Sequence, residues 1–398
     1  MKKPKKNFWE ERSRMSNIPK LRFPEFKGEW EEKKLGECLT LLYGKDWKDK
    51  SSTKKLYPVL GTGGVISYID EFIYDKPCVL IGRKGSINNP VFIDKPFWTV
   101  DTQFYSEIHE GYSPKFLYYI FCTENWSKHD ESTGVPSLSA KNVENTHKHI
   151  PSYSEQQKIA DFLSNVDSII TAETKILNTL QKKKKALMQK LFTRQLRFKS
   201  ADGTNFPAWE EKCIDEIAEC IAGATPDTKK NEYWENGTIP WMSSGEVNKK
   251  YVYETDRTIT QLGYKKCSTK MIPVNTVVIA LAGQGKTRGT VALTKIELCT
   301  NQSLCAITNK SEYNSEYLFH YLSSQYQELR KISSGGDASR GGLNLKLVGS
   351  YRVPLPCLAE QQKIADCLSS MDSLIQNQQK VVTTWQQRKK ALLQQMFV

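Results

Sequence analysis

Two glycine-rich stretches carry the residue types best suited to holding phosphate. Residues 280–287 read ALAGQGKT after the strand-like TVVI. This fits a loose Walker A pattern with Ala for the first Gly and Lys286 as the phosphate lysine. A P-loop needs a helix next, whose N-terminus and backbone N–H groups cradle phosphate. Here the chain continues RGTVALT, a strand pattern, and no Walker B strand ending in Asp is evident. The corresponding place nearer the N-terminus, 81–87, reads IGRKGSI and is not a P-loop. Both read better as hairpin turns offering Arg83 and Lys84, or Lys286 and Arg288, to phosphates or base edges. A solvated turn is the alternative.

Other constellations fall short of catalysis. NNPVF at 88–92 echoes the NPP-aromatic loop of amino-methyltransferases, but the second proline is missing and no Gly-rich methyl-donor site precedes it. His109, His129, His147, His149 and His320 have no partnered Ser, Cys or metal pattern and read as surface residues, though His147 and His149 could share a strand face. No metal site is expected. Polar residues near the two turns are of the types that pair with base edges. In the first half these are Ser86, Asn88, Gln103, Ser139, Lys141 and Asn142. In the second they are Ser243, Ser244, Gln284, Gln302, Arg340, Asn344 and Lys346. The stretches 99–103 and 300–303 occupy matching places, one strand after the Gly-rich turn.

The 398 residues suffice for two or three domains, and a formal net charge of +13 favours a polyanionic partner. Ten cysteines without CxxC or Cys/His spacing read as reduced cytoplasmic thiols. No stretch approaches the ~20 apolar residues of a membrane span. Residues 1–20 read as a disordered lead-in without the apolar core of a signal peptide, with Met15 as an alternative start.

The positioning elements are written twice. EQQKIADFLSNVDSI…KKALMQKLF at 155–192 returns as EQQKIADCLSSMDSL…RKKALLQQMF at 360–397, identical at 21 of 38 positions without a gap. Ile159, Leu163, Val166, Ile170, Leu177, Leu180, Leu187 and Leu191 follow the a/d steps of a coiled coil. Ile364, Leu368, Met371, Ile375, Val382, Trp385, Leu392 and Met396 repeat them. Polar interruptions match too, Glu173 and Lys184 against Gln378 and Lys389. The lysine runs at 182–185 and 388–390 read as solvated flanks, with DNA or a partner subunit as the alternative. Ser154 with Gln157 is a candidate capping box that the second copy lacks.

Each half opens on LRF…FP…WEEK, within 21–37 and 196–219. Short apolar runs then read as strands: LYPVL, CVLIG and PVFID, then IPWMS, TVVIALA, GTVALT and SLCAIT. An aromatic helical run follows at 114–121 or 315–322, then a Gly/Ser loop at 132–139 or 333–342. The domains are therefore a lead-in (1–20), a strand-rich domain (21–151), a long helix (152–195), a second strand-rich domain (196–356) and a C-terminal helix (357–398). Thirty-eight helical residues span about 57 Å. A linker of a few residues cannot return the chain, so paired seams require antiparallel helices and a pseudo-two-fold repeat. The fold class is α+β, two strand-rich α/β domains separated by a long antiparallel two-helix coiled coil.

This organisation resembles the specificity subunit of type I restriction–modification systems. The doubled EQQKIAD (155–161, 360–366), the doubled KKAL (184–187, 389–392) and the doubled WEEK openings carry the resemblance over nearly the whole chain. It implies that the strand-rich segments are target-recognition domains and the helices a conserved spacer. It implies a non-catalytic chain in a multisubunit cytoplasmic complex that binds double-stranded DNA. In that family two methyltransferase subunits dock on the specificity subunit and motor-nuclease subunits join them, so the resemblance implies the same partners here. S-adenosylmethionine, ATP and magnesium belong to those partners, with no cofactor in this chain. The target should be bipartite and asymmetric, with half-sites about one helical turn apart. The rivals are a coiled-coil adaptor without sequence-specific DNA binding and an NTPase acting through 280–287.

Overall fold

The structure is a computed structural model that describes residues 17–283, 285–332 and 342–398. It forms two units: residues 1–174 with 380–398, and residues 175–379. Each unit therefore takes part of both long helices, Tyr153–Phe192 and Leu358–Met396.

Unit 1 is built on a four-stranded antiparallel sheet in the order Leu39–Tyr43, Gln103–Ile108, Cys78–Gly82, Val91–Ile93. Cys78–Gly82 is buried at every residue, as its unbroken apolar run requires. A second sheet orders Gly64–Ile69, Tyr57–Gly61 and Trp98–Thr99. The helix Pro114–Thr123 packs its aromatic face into a core with Trp30, Trp126, Ile159, Leu163 and Met396. Two-residue strands such as Trp98–Thr99 carry no periodic signal and were not legible in the sequence.

Unit 2 repeats this order with different residues. Its five-stranded sheet runs Ala218–Ala222, Leu304–Asn309, Val277–Ala280, Val291–Thr294, Tyr251–Val252. A four-stranded sheet runs Arg257–Ile259, Ile239–Met242, Leu298–Thr300, Met271–Ile272. The helix Ser315–Ser324 joins a core with Trp209, Leu191, Ile364 and Leu368.

The WEEK openings close each unit. Glu31–Lys34 pairs antiparallel with His147–Ile150, and Glu210–Cys213 with Arg352–Leu355, where the chain enters and leaves the strand-rich segment. His147 and His149 thus lie on one strand, His147 facing Glu32 at 3.6 Å.

The helix seam is antiparallel within each unit. In unit 1 the start of the first long helix meets Leu392 and Met396 of the second, and Phe397 just beyond its end. In unit 2 the end of the first (Leu187, Met188, Leu191) meets Ile364, Ala365 and Leu368. None of the sixteen seam residues named from the sequence is exposed.

Three expectations change. Tyr153 already belongs to the first long helix, so Ser154 lies inside its first turn rather than ahead of it as a cap. His320 is fully buried, not a surface residue. The lysine runs are not wholly solvated flanks, because Lys184 and Lys389 turn inward to Asp372 and Asp167. The lead-in residues 1–16 lie outside the described residues.

Candidate nucleic-acid interface

In both units the doubled EQQ motif ties the strand-rich segment to the helix. Glu155 is buried and takes Nε and Nη2 of Arg22, both at 2.8 Å, plus the Trp30 indole N–H. Glu360 does the same with Arg197 and Trp209. The next residue, Gln156 or Gln361, accepts from the backbone N–H of Ser113 or Asn314 and donates to the Pro151 or Pro356 carbonyl. Arg fits this place because its planar fork matches a carboxylate bidentately.

About three turns further along the helix, a second tie repeats with changed chemistry. In unit 1 the Tyr119 hydroxyl donates to Asp167 at 2.8 Å. In unit 2 His320 occupies that place, its Nε2 3.1 Å from the Ser369 hydroxyl and its Nδ1 3.8 Å from Asp372. Burial pushes the His320 pKa down to about 3, aided by Lys184 and Lys250, and outweighs the carboxylates of Asp372 and Glu316. Desolvation likewise lowers the Lys184 pKa despite Asp372.

With the segments so anchored, four loops meet at one end of the main sheet in each unit. In unit 1 the loop after Leu39–Tyr43 joins the 99–103 turn through Gly44 N–H to Gln103 O and Lys45 N–H to Thr99 O. The turn after Cys78–Gly82 joins it through Arg83 and Lys84 N–H to Thr102 O. The Gly/Ser loop then docks through Leu138 N–H to Arg83 O and Gly85 N–H to Pro136 O. Asp130 holds that loop in shape, accepting from Ser132 and Ser137, which keeps its carboxyl below the usual range. Unit 2 makes the same junction with Ala224 N–H to Thr300 O, Leu281 N–H to Ser303 O and Leu343 N–H to Leu281 O. Gly44 and Gly223 allow it: a Cβ would sit 2.1 Å from Val100 O in one and 1.9 Å from Thr300 O in the other.

Most residues selected from the sequence lie at or beside this junction, and many already have structural work. In unit 1 the Arg83 guanidinium bonds Asp101 O at 3.1 Å and lies 5.4 Å from the Tyr43 ring. Gln103 is buried and accepts from Thr99 Oγ1. Asn88 bonds the Asn125 side chain and the Trp126 N–H. Ser139 caps the short helix Ala140–Glu144, accepting from Asn142 N–H. Lys84, Ser86, Lys141 and Asn142 are exposed.

In unit 2 Asn344 is the equivalent cap, accepting from Leu347 N–H. Ser243 bonds Glu246 through its N–H and hydroxyl, and Ser244 is half-buried. Gln302 accepts from Thr225 Oγ1. Arg288 is half-buried, while Lys286 and Lys346 are exposed. Gln284 and Arg340, with 333–341 of the second Gly/Ser loop, lie outside the described residues. The Walker-like stretch runs from Val277–Ala280 into Val291–Thr294, its antiparallel neighbour, so a strand stands where a P-loop needs a helix.

Sequence reasoning missed the loops after Leu39–Tyr43 and Ala218–Ala222, and the Arg257–Trp234 stack at 3.6 Å. YGK and AGA, each a glycine closing a strand, were the available signal. Among the described residues no cluster of three or more His, Cys, Asp or Glu is placed to hold a metal. Among the same residues no helix is long and apolar enough to cross a membrane.

Comparison with known proteins agrees with this doubled architecture. The family model for the type I restriction modification DNA specificity domain matches twice, at 27–182 and 208–384. The chain is 36% identical over 196 residues to the type I restriction enzyme MjaIX specificity subunit of Methanocaldococcus jannaschii, covering 48% of this chain and 44% of that protein. It is 28% identical over 232 residues to the EcoR124I/EcoR124II specificity subunit of Escherichia coli, covering 58% and 54%. The chain thus spans about half the length of these two relatives. Against the MjaVIII specificity subunit of M. jannaschii it is 26% identical, over 94% of this chain and 92% of that one. A crystal structure of the type I restriction–modification S subunit from M. genitalium shares the fold, with TM-score 0.67 at 16% identity over 96% of this chain and 99% of that one. With the family model matched in both halves, the chain belongs to the specificity subunits of type I restriction–modification systems.

Proposed function

We propose that this chain is the non-catalytic DNA-reading subunit of a type I complex, binding a bipartite, asymmetric site. Each unit reads one half-site in the major groove through its four-loop junction, and exposed lysines hold phosphates. The doubled helices provide the docking surface for two methyltransferase subunits, which motor-nuclease subunits join. S-adenosylmethionine, ATP and magnesium are bound by those partners, and the complex works in the cytoplasm.

The observation that carries this reading is the repeated junction. Three backbone bonds that assemble it recur: Lys45, Arg83 and Leu138 N–H in unit 1 and Ala224, Leu281 and Leu343 N–H in unit 2 donate to matching carbonyls, while the side chains on it differ. A scaffold kept constant under changing polar residues suits two readers of two different short sequences.

Genome-wide methylation mapping of a host with and without the gene tests it. A split motif should be methylated only when the gene is present. Exchanging residues of about 40–150 for those of another family member should then change one half of the motif. Change in both halves, or in neither, refutes the reading.

A further inference from the structure

We propose that unit 1 reads its half-site with a β-ribbon, the hairpin of Tyr57–Gly61 and Gly64–Ile69, inserted into the major groove. This rests on the DNA-reading function above and adds, beside the loop junction, the element that enters the groove in one unit.

The hairpin is apolar where a soluble protein should not be. Gly64–Ile69 is an edge strand, paired only through Tyr57–Gly61. Val65, Ile66 and Tyr68 are each about half exposed, at 52%, 53% and 46%. An open edge carrying such residues invites association unless a partner covers it.

The tip is shaped for close approach. Gly64 closes the turn at φ +112, a backbone conformation that residues with a side chain rarely adopt. Gly63 has no such φ, and a Cβ there would meet nothing within 4 Å. Neither strain nor packing within the chain demands a glycine at 63; a surface pressed against the tip would.

The tip is also continuous with the loop junction. Leu60 O accepts from Val100 N–H and from Thr99 Oγ1 at 3.0 Å. A Cβ on Gly82 would lie 3.2 Å from the Thr62 methyl. The ribbon therefore extends the surface that carries Lys84.

Charge selects the occupant. Lys45, Lys48, Lys54, Lys55 and Lys84 are exposed around the hairpin. Three of the nearby acids are engaged, and Asp49 is exposed. Asp70 takes the Ser51 hydroxyl and the N–H groups of Thr53, Lys54 and Lys55; Asp46 takes those of Trp47 and Lys48; Glu71 pairs with Lys50. A lysine-rimmed apolar ribbon fits double-stranded DNA, whose major groove admits a two-stranded ribbon and displays the thymine methyl to apolar side chains.

Unit 2 has no counterpart among its described residues. Its strand Ile239–Met242, matched by its parallel partner Leu298–Thr300, reaches its antiparallel neighbour Arg257–Ile259 only after a long excursion through 243–256.

The test uses the complete chain assembled with its methyltransferase subunits and a duplex bearing the mapped site. A photo-reactive benzoylphenylalanine replaces Val65. Cross-linking to DNA within one half-site is expected. Selective DNA binding with cross-links only to a methyltransferase subunit, to a second copy of the chain, or to nothing overturns the ribbon alone. Loss of all sequence selectivity in the unsubstituted complex overturns the underlying function as well. In parallel, Ile66→Ser should weaken site-specific binding about tenfold while non-specific binding and thermal unfolding stay unchanged. Equal specific affinity would count against the proposal.

Discussion

At the scale of single residues, the doubled EQQ motif is explained by burial. Glu360 is fully buried, and only Arg197 and the Trp209 indole make its charge tolerable there. Truncating it strands the guanidinium, so Glu360→Ala should cost roughly 3 kcal/mol in denaturant unfolding. A change under 1 kcal/mol would show that the pair is incidental. His320 gives a pH dependence. Its folded pKa, about 3, lies below the ordinary histidine value. The unfolded chain therefore binds the extra proton between the two pKa values, and stability is lost as pH falls through that window. Denaturant unfolding of the wild type should weaken from about pH 6.5 downward, and His320→Gln should flatten that slope. Parallel slopes for the two proteins would rule His320 out as the cause. The sequence hid this histidine, since only its place beside Ser369 and Asp372 distinguishes it from a surface one.

At the scale of elements, the long helices were legible and their pairing chemistry was not. Heptad spacing identified the seam because burial follows period. Lys184 and Lys389 looked like interruptions, since their partners Asp372 and Asp167 lie outside the a/d stripe and meet them only through antiparallel packing. The short strands and the caps at Ser139 and Asn344 escaped for a related reason: elements of two to five residues are set by tertiary contacts, not by a repeat. Their polar side chains were selected as candidate base readers, and they cap helices as well, because capping and base pairing draw on the same residue types. Lys184 and Asp372 are largely buried, so breaking the pair should cost more than replacing it. Asp372→Leu alone should destabilise by about 3–5 kcal/mol, and adding Lys184→Met should recover most of that. Additive losses in the double-mutant cycle would mean that the two groups do not interact.

At the scale of the whole molecule, the charge of +13 has to be reconciled with junction loops whose polar groups are largely engaged in holding the fold. Arg83, Gln103, Asn88, Ser139 and Asn344 each bond within the chain, which leaves exposed lysines as the natural phosphate contacts. Lysine is a point charge without the fork that reads a base, so it contributes affinity without selectivity. Releasing counterions from each neutralised phosphate lowers log K by about 0.9 per decade of salt. Lys84→Ala in unit 1 and Lys286→Ala in unit 2 should therefore each reduce the salt slope of DNA binding by about one. Because the two lysines belong to different units, the double variant should lose about two, with the methylated motif unchanged. Titrating the assembled complex against duplex DNA across a salt series measures this directly. An unchanged slope in both single variants would remove these lysines from the interface, while an altered motif would make them base readers after all. Lys286→Ala carries a second consequence, because the proposed function makes the lysine that would serve a phosphate-binding loop a contact to the DNA backbone instead. It should lower DNA affinity in buffer without nucleotide, an effect that an NTPase lysine would not produce.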